Sequence, residues 1–180
     1  PLHQPRAIEA IEAAERALPA VPEVACFDTA FHDTLPLEAR TYAVPREWRK
    51  NLGIRRYGFH GLSHAYIARR AGEMTERQGG GRLVSCHLGA GASLAAIRDG
   101  VCIDTTMGFT PLEGLVMATR SGTVDPGIVL WLLMNTAMAA DQVWDALEHH
   151  SGFAGLTGTA DMREVRIRAR LAHPHIVTFY

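Results

Sequence analysis

Cysteine is scarce in this chain, with three residues in 180, Cys26, Cys86 and Cys102. All three sit in apolar, strand-like runs and no two form a CxxC pair; the odd count and the absence of a secretory signal argue against a disulfide framework and for reduced thiols in a cytoplasm. Long apolar runs are lacking too. The longest, Ile128 to Met134, is far too short to cross a bilayer, and no targeting peptide is recognisable. Charge of one sign is also missing: the net charge is -1 with histidines neutral, which leaves no basic field for nucleic acid and no acidic tail. Neither an internal repeat nor a low-complexity segment is present. What remains is 47% hydrophobic and 21% charged residues. That is the balance of a soluble globular protein, long enough for one core or for a large piece of something bigger.

The chain starts without Met, in a loop leading to a helix, and ends at "HIVTFY" inside a strand-like run, so both ends are expected to be cut. A helix is expected over Ala7–Leu18, where Ile8, Ile11 and Leu18 recur at helical spacing ahead of Pro19 and Pro22. Val24–Phe27 reads as a short buried strand with Asp28 at its C-terminal end. Residues 33–58 read mostly as loop, broken at Pro36 and Pro45. A helix starts near Gly61 or Ser63, and Gly79 to Gly81 form a hinge. Three strands follow in "RLVSCHLGAGASLAAIRDGVCIDTTMGF", the second bend being an Asp99-Gly100 hairpin turn. Asp125 caps, and Pro126 opens, a helix through "GIVLWLLMN". Asp141–His149 is another helix, and a glycine-rich loop from Ser151 feeds a last one with Asp161 and Glu164 as a capping box. Strands alternating with helices, with hairpins as an antiparallel portion, predict a mixed α/β layered fold.

Polar residues gather after the strands, where α/β folds place their ligand crevice: Asp28, Phe59-His60, His87 and Arg120. The first hairpin bend sets His87 ahead of Gly89-Ala90-Gly91. Two glycines one residue apart let backbone amides approach a phosphate closely. Position 94 is Leu, however, so no full GxGxxG is present, and spacing alone favours a structural turn. His60 and His64 have the separation of a zinc-protease helix, but Gly61 stands where that chemistry needs a glutamate base. A structural hydrogen bond is therefore the favoured role of His64, whereas His60, at the start of the helix, keeps a functional one. Gly61-Leu62-Ser63-His64-Ala65 misses a nucleophile elbow at its last residue, so Ser63 is expected as a helix N-cap. Arg120, in a loop ahead of a helix start, offers a guanidinium to an anion. A small hydrolase or metalloprotein built on Asp28, His60 and His64 is the alternative in a different class.

The blocks "FDTAFHDTLP", "RRYGFHGLSH", "HLGAGASLAAIRDG", "DTTMGFTPLEGLVMATRSGTVDPG" and "SGFAGLTGTADMR" occur in one order between Leu2 and Glu164. Together they resemble the acetokinase family, the acetate kinases. The resemblance implies the actin-like ATPase (ribonuclease H-like) fold, an α/β fold with a mixed sheet and flanking helices, incomplete here at both ends. It implies a division into residues 1–27, the end of an N-terminal domain and its connecting helix, and residues 28–180, a partial C-terminal nucleotide-binding domain.

The implied activity is transfer of the ATP γ-phosphoryl group to acetate, giving acetyl phosphate and ADP with Mg2+, in a cytoplasmic homodimer. By the same resemblance His87, Leu88, Gly89, Ala90 and Gly91 hold the nucleotide phosphates, and Asp161, Met162 and Arg163 contact the adenosine. Asp28 corresponds to the catalytic aspartate, and His60 and Arg120 to the transition-state stabilisers. Leu2, His3, Phe59 and Pro111 fall in motifs that shape the acetate pocket. A methyl-sized pocket discriminates one methylene by only about 1–3 kcal/mol, so propionate is an expected second substrate. Gln4, Ala118 and Thr123 stand where the family usually has Asn, Gly and Asp, and the residues after Glu164 depart from its pattern. The family's remaining phosphate hairpin, adenine-site loop and main Mg2+ ligands fall outside these motifs. No metal ligand is therefore expected within the chain, and the 180 residues are expected to be inactive alone or to form a non-catalytic nucleotide-binding remnant.

Overall fold

The computed structural model describes residues 4–76 and 81–166. Helix α1 (Gln4–Ala17) matches the expected first helix, and residues 7–27 are solvent-exposed throughout. Val24–Phe27 is not a buried strand: it pairs with no strand of the sheet, and Val24 is 83% and Phe27 69% exposed. An apolar run becomes a strand only when a neighbour takes its amides and carbonyls, and the sheet of the described residues contains no such neighbour. Residues 33–58 are also more structured than expected. A 3-10 turn (Ala30–His32) leads to α2 (Leu37–Arg40) and α3 (Arg46–Asn51), with Pro36 and Pro45 at their N-caps. Each proline starts a helix rather than breaking a loop, because its fixed φ is tolerated there and its missing N–H is not needed.

The sheet has the order β1-β2-β3, all antiparallel, formed by β1 (Arg82–Leu88), β2 (Ala92–Arg98) and β3 (Val101–Thr105). The expected Asp99-Gly100 turn closes the second hairpin with both residues at positive φ, 51° and 83°, the conformation a two-residue hairpin loop demands. The register pairs Ser85 with Ala95, Leu83 with Ile97 and His87 with Ser93, so these residues share one face. Helix α4 (Gly61–Thr75) lies on that face, and Ala68 joins Leu35, Ala95, Ile97 and Cys102 in the main core. A second cluster of Ala92, Met107 and Met117 takes Phe59 and Leu115 against it. The opposite sheet face is open: Val84 and Leu88 are exposed, and an apolar depression of about 470 Å³ is lined there by Val84, Ala96 and Ile103 together with Arg82 and Arg98.

Beyond the sheet come α5 (Pro126–Asn135) and α6 (Ala140–His149). Asp125 caps α5 as expected, its carboxylate accepting the Gly127 amide at 2.8 Å. The glycine-rich stretch after Ser151 is helical over α7 (Gly152–Thr157) rather than loop. Its N-terminus is held by the preceding chain, with Phe153 N–H donating to Met117 O and Ala154 N–H to Ala118 O, both at 2.9 Å. Helical backbone resumes at residues 162–166, with Asp161 accepting the Arg163 amide at 2.9 Å in an N-cap bond. Gly79 and Gly80 of the expected hinge lie outside the described residues, as do Leu2 and His3.

Candidate active site

Asp28 sits under the start of α4 and holds it with two bonds. Its Oδ2 accepts the His60 amide at 2.6 Å, and its backbone carbonyl accepts the Gly61 amide at 2.8 Å. His60 is the N-cap and adopts the left-handed conformation, φ 59° and ψ 26°, a strain of roughly 1 kcal/mol or more for a non-glycine residue. Gly61 is required next to it, because a Cβ there would lie 2.2 Å from the Asp28 carbonyl oxygen. The sequence therefore bends sharply at Phe59-His60-Gly61 and points the His60 ring at the sheet. His32 braces the bend from behind. It is almost fully buried, its Nε2 donating to Phe59 O at 2.9 Å while its Nδ1 lies 3.2 Å from Cys102 Sγ.

Four histidines and three serines meet between α4 and the sheet. His60 Nδ1 lies 3.0 Å from Ser93 Oγ. His64 is fully buried and lies 2.8 Å from Ser93 Oγ through Nε2 and 2.8 Å from Ser85 Oγ through Nδ1. His87 Nδ1 shares a hydrogen bond of 2.9 Å with Ser63, and its ring stacks on His60 at 4.0 Å between centroids. Ser63 is thus not the N-cap: it lies in the first turn of α4 and orients His87. The structural role expected for His64 is what the structure gives, and with both ring nitrogens committed to serines His64 is not free for a metal.

Burial holds His32, His60 and His64 toward the neutral form. His64 is pushed down to about 4, chiefly by desolvation and then by the neighbouring histidines. His32 is lowered by desolvation. His60 is lowered by desolvation first, then by His87 and Arg120, against an opposing pull from Asp28.

Arg120 closes the site from the other side. Its Nε donates to Glu148 Oε1 at 2.6 Å, and the Glu148 side chain is only 2% exposed. The loop carrying Arg120 is fastened along its length: Ala118 N–H donates to Ala90 O at 3.2 Å, Thr119 Oγ1 to Glu148 O at 3.0 Å and Ser121 N–H to Leu147 O at 3.0 Å. The Gly89-Ala90-Gly91 bend is thereby tied to the arginine loop. A Cβ on Gly91 would meet Arg120 Nη1 at 3.1 Å and His60 Nε2 at 3.3 Å, so two side-chain nitrogens border the space a side chain would fill.

Asp28, His60, His87, Gly91 and Arg120 are accordingly brought together. Phe59 packs on the Met107 and Met117 cluster, and Pro111 is half-buried in the loop after β3. Asp161 and Arg163 pair with each other at 2.6 Å, beside an exposed Met162. Glu148, Ser93 and Ser85 escaped the sequence reading. Glu148 left a trace there, as a carboxylate in the last turn of a helix, where the dipole disfavours it unless a cation compensates. A group of three or more His, Cys, Asp or Glu side chains able to hold a metal ion is absent among the described residues. One oxygen of Asp28 is engaged by the His60 amide, and the described residues by themselves do not supply a Mg2+ shell. No helix among the described residues is long and apolar enough to cross a membrane.

Comparison with known proteins shows what the chain is similar to. The chain is 51% identical over 166 residues to the acetate kinase of Protochlamydia amoebophila, covering 92% of this chain and 42% of that one. It is 50% identical over 175 residues to the acetate kinase of Deinococcus radiodurans, covering 96% and 44%. The crystal structure of a propionate kinase from Francisella tularensis superposes with a TM-score of 0.89 at 42% identity, over 96% of this chain and 45% of that one. For Porphyromonas gingivalis acetate kinase the TM-score is 0.84 at 38% identity, over 91% and 42%. The chain thus spans less than half the length of these relatives, and the fold is that of the actin-like ATPases, mixed in sheet and helix and incomplete relative to them. The acetokinase family model matches residues 1–174, reaching past Glu164, where the sequence was expected to depart from the family pattern. On that match the chain belongs to the acetokinase family.

Proposed function

We propose that this chain carries the central part of a kinase that transfers the ATP γ-phosphoryl group to a short carboxylate, acetate with propionate as second substrate. The observation that carries the reading is the approach of His60 Nε2 and Arg120 Nη1 to one point above Gly91. A transferring phosphoryl group spreads negative charge over its oxygens, and catalysis consists mainly of positioning and electrostatic stabilisation. In the proposed step a carboxylate oxygen attacks the γ-phosphorus, the bond from phosphorus to the bridging oxygen breaks, and ADP leaves with that electron pair. The acceptor, with a pKa of roughly 4–5, is already ionised at neutral pH, so no base is needed. Asp28 then acts by holding the His60 bend, which its two bonds to the start of α4 support.

In this reading His60 and Arg120 stabilise the transferred group, and His87 to Gly91 line the phosphates. Asp161 to Arg163 contact the adenosine, and Leu2, His3, Phe59 and Pro111 shape the acyl pocket. Mg2+ accompanies the nucleotide with ligands from outside the described residues. The complete protein is a cytoplasmic homodimer, with the domain boundary near residues 27 and 28. The 180-residue chain alone makes no acetyl phosphate.

Amide NMR spectra of the chain with and without MgADP test the reading. Shifts at residues 87–91 and 161–163 are expected. A dispersed spectrum that MgADP leaves unchanged would overturn the site. Gly91→Ala sharpens the test: its methyl group enters the space between the two donors, so a folded variant that has lost the response is expected.

A further inference from the structure

Ser93 Oγ touches both the His60 and the His64 ring. A hydroxyl has a single proton, so it donates to one ring and accepts from the other. The direction is settled at the far end of the chain of bonds. Ser85 is buried, and its hydroxyl has His64 Nδ1 as its hydrogen-bond partner. If His64 Nδ1 carried the proton, the Ser85 hydroxyl hydrogen would be left buried without an acceptor, at a cost of about 1–3 kcal/mol. With the opposite order every proton is used. Ser85 O–H donates to His64 Nδ1, His64 Nε2–H donates to Ser93 Oγ, and Ser93 O–H donates to His60 Nδ1. A neutral His60 that accepts at Nδ1 carries its own proton on Nε2, the nitrogen that faces the space above Gly91.

We propose that Ser93 is a positioning residue that fixes the tautomer of His60, so that a neutral imidazole presents its Nε2–H to the anion held beside Arg120. This rests on the kinase reading for the identity of the anion, but not for the tautomer. A neutral donor fits the place: next to the Arg120 guanidinium, a charged His60 would add like-charge repulsion. Fixing the proton beforehand also spares the site any reorganisation when the phosphoryl group arrives.

Long-range 1H–15N correlation spectra of the histidine rings in the full chain, near neutral pH, read the tautomers directly. The wild type is expected to show His60 and His64 each with a bare Nδ1 and a protonated Nε2. Ser93→Ala is expected to let a second His60 tautomer appear, and Ser93→Thr, which keeps the hydroxyl, to restore the single form. Should amide dispersion show Ser93→Ala unfolded, Ser93→Cys keeps the shape with a weaker donor and is expected to give the mixture. A proton on His60 Nδ1 in the wild type, an unchanged tautomer in a folded Ser93→Ala or Ser93→Cys, or a folded Ser93→Thr that still shows the mixture would each overturn the proposal. Adding MgADP to the same samples separates the two ideas: failure of the wild type to respond at residues 87–91 counts against the kinase reading and leaves the tautomer result standing.

Discussion

His64 shows how much a single buried ring carries. It contributes nothing to the anion-facing surface, yet it joins α4 to both strands of the first hairpin through Ser85 and Ser93. Its pKa of about 4, against 6.5 in an unfolded chain, means that the native state resists a proton the unfolded state accepts. The stability gained by keeping the ring neutral is fully present above pH 6.5 and is lost as pH falls from 6.5 towards 4. A shift of this size corresponds to on the order of 3 kcal/mol, and the lowered His32 and His60 act with the same sign. Urea-unfolding midpoints measured between about pH 7 and pH 4 are expected to fall steadily through that window, and a flat profile would show that the rings take up protons as readily in the native state as in the unfolded chain. At this scale the sequence was legible for residue type but not for partnership. His60 and Arg120 stood out as candidate donors, whereas Glu148 lies 28 positions from the guanidinium it holds, and no local pattern connects the two.

Among elements, the start of α4 is the most constrained. Asp28, His60 and Gly61 act as one device there, with the carboxylate and the carbonyl of one residue taking two successive amides of the others. Gly61→Ala places a Cβ 2.2 Å from the Asp28 carbonyl oxygen, against backbone that has no rotamer to turn away. The variant is expected to lose about 1–3 kcal/mol, the usual cost of overpacking, and to release the His60 bend. Circular dichroism and urea unfolding measure the first effect, and loss of the MgADP response at residues 87–91 the second. A variant as stable as the wild type would show that α4 shifts freely, and the bend would then not be a rigid support. The hairpins and the α5 start were readable because their signals are local: Asp99-Gly100 and Asp125-Pro126 each dictate backbone angles within a few residues. Val24–Phe27 failed because strand formation needs a partner, and α2, α3 and α7 were missed because short helices lean on packing more than on propensity.

For the molecule as a whole, the unequal covering of its surfaces matters most. Helix α5 exposes Ile128, Leu130, Trp131 and Met134 and has no buried residue, and the outer sheet face is bare at Val84 and Leu88. Apolar patches of this kind promote association. Leu130→Glu is expected to leave the unfolding free energy from urea titration within about 0.5 kcal/mol of wild type while reducing concentration-dependent light scattering of the chain. Unchanged scattering would place the associating surface elsewhere. By itself the sequence determined the chain's family, its mixed α/β class, the second hairpin and the identities of the polar residues, because these depend on composition, local backbone preference and ordered motifs. The tertiary structure alone decided that His64 braces the fold, that Ser93 links His64 to His60, that Glu148 holds Arg120 and that Val24–Phe27 stays uncovered. Burial and hydrogen-bond satisfaction are properties of atoms that meet in space, and here the partners stand as far apart as the 33 positions between His60 and Ser93 or the 70 between His32 and Cys102.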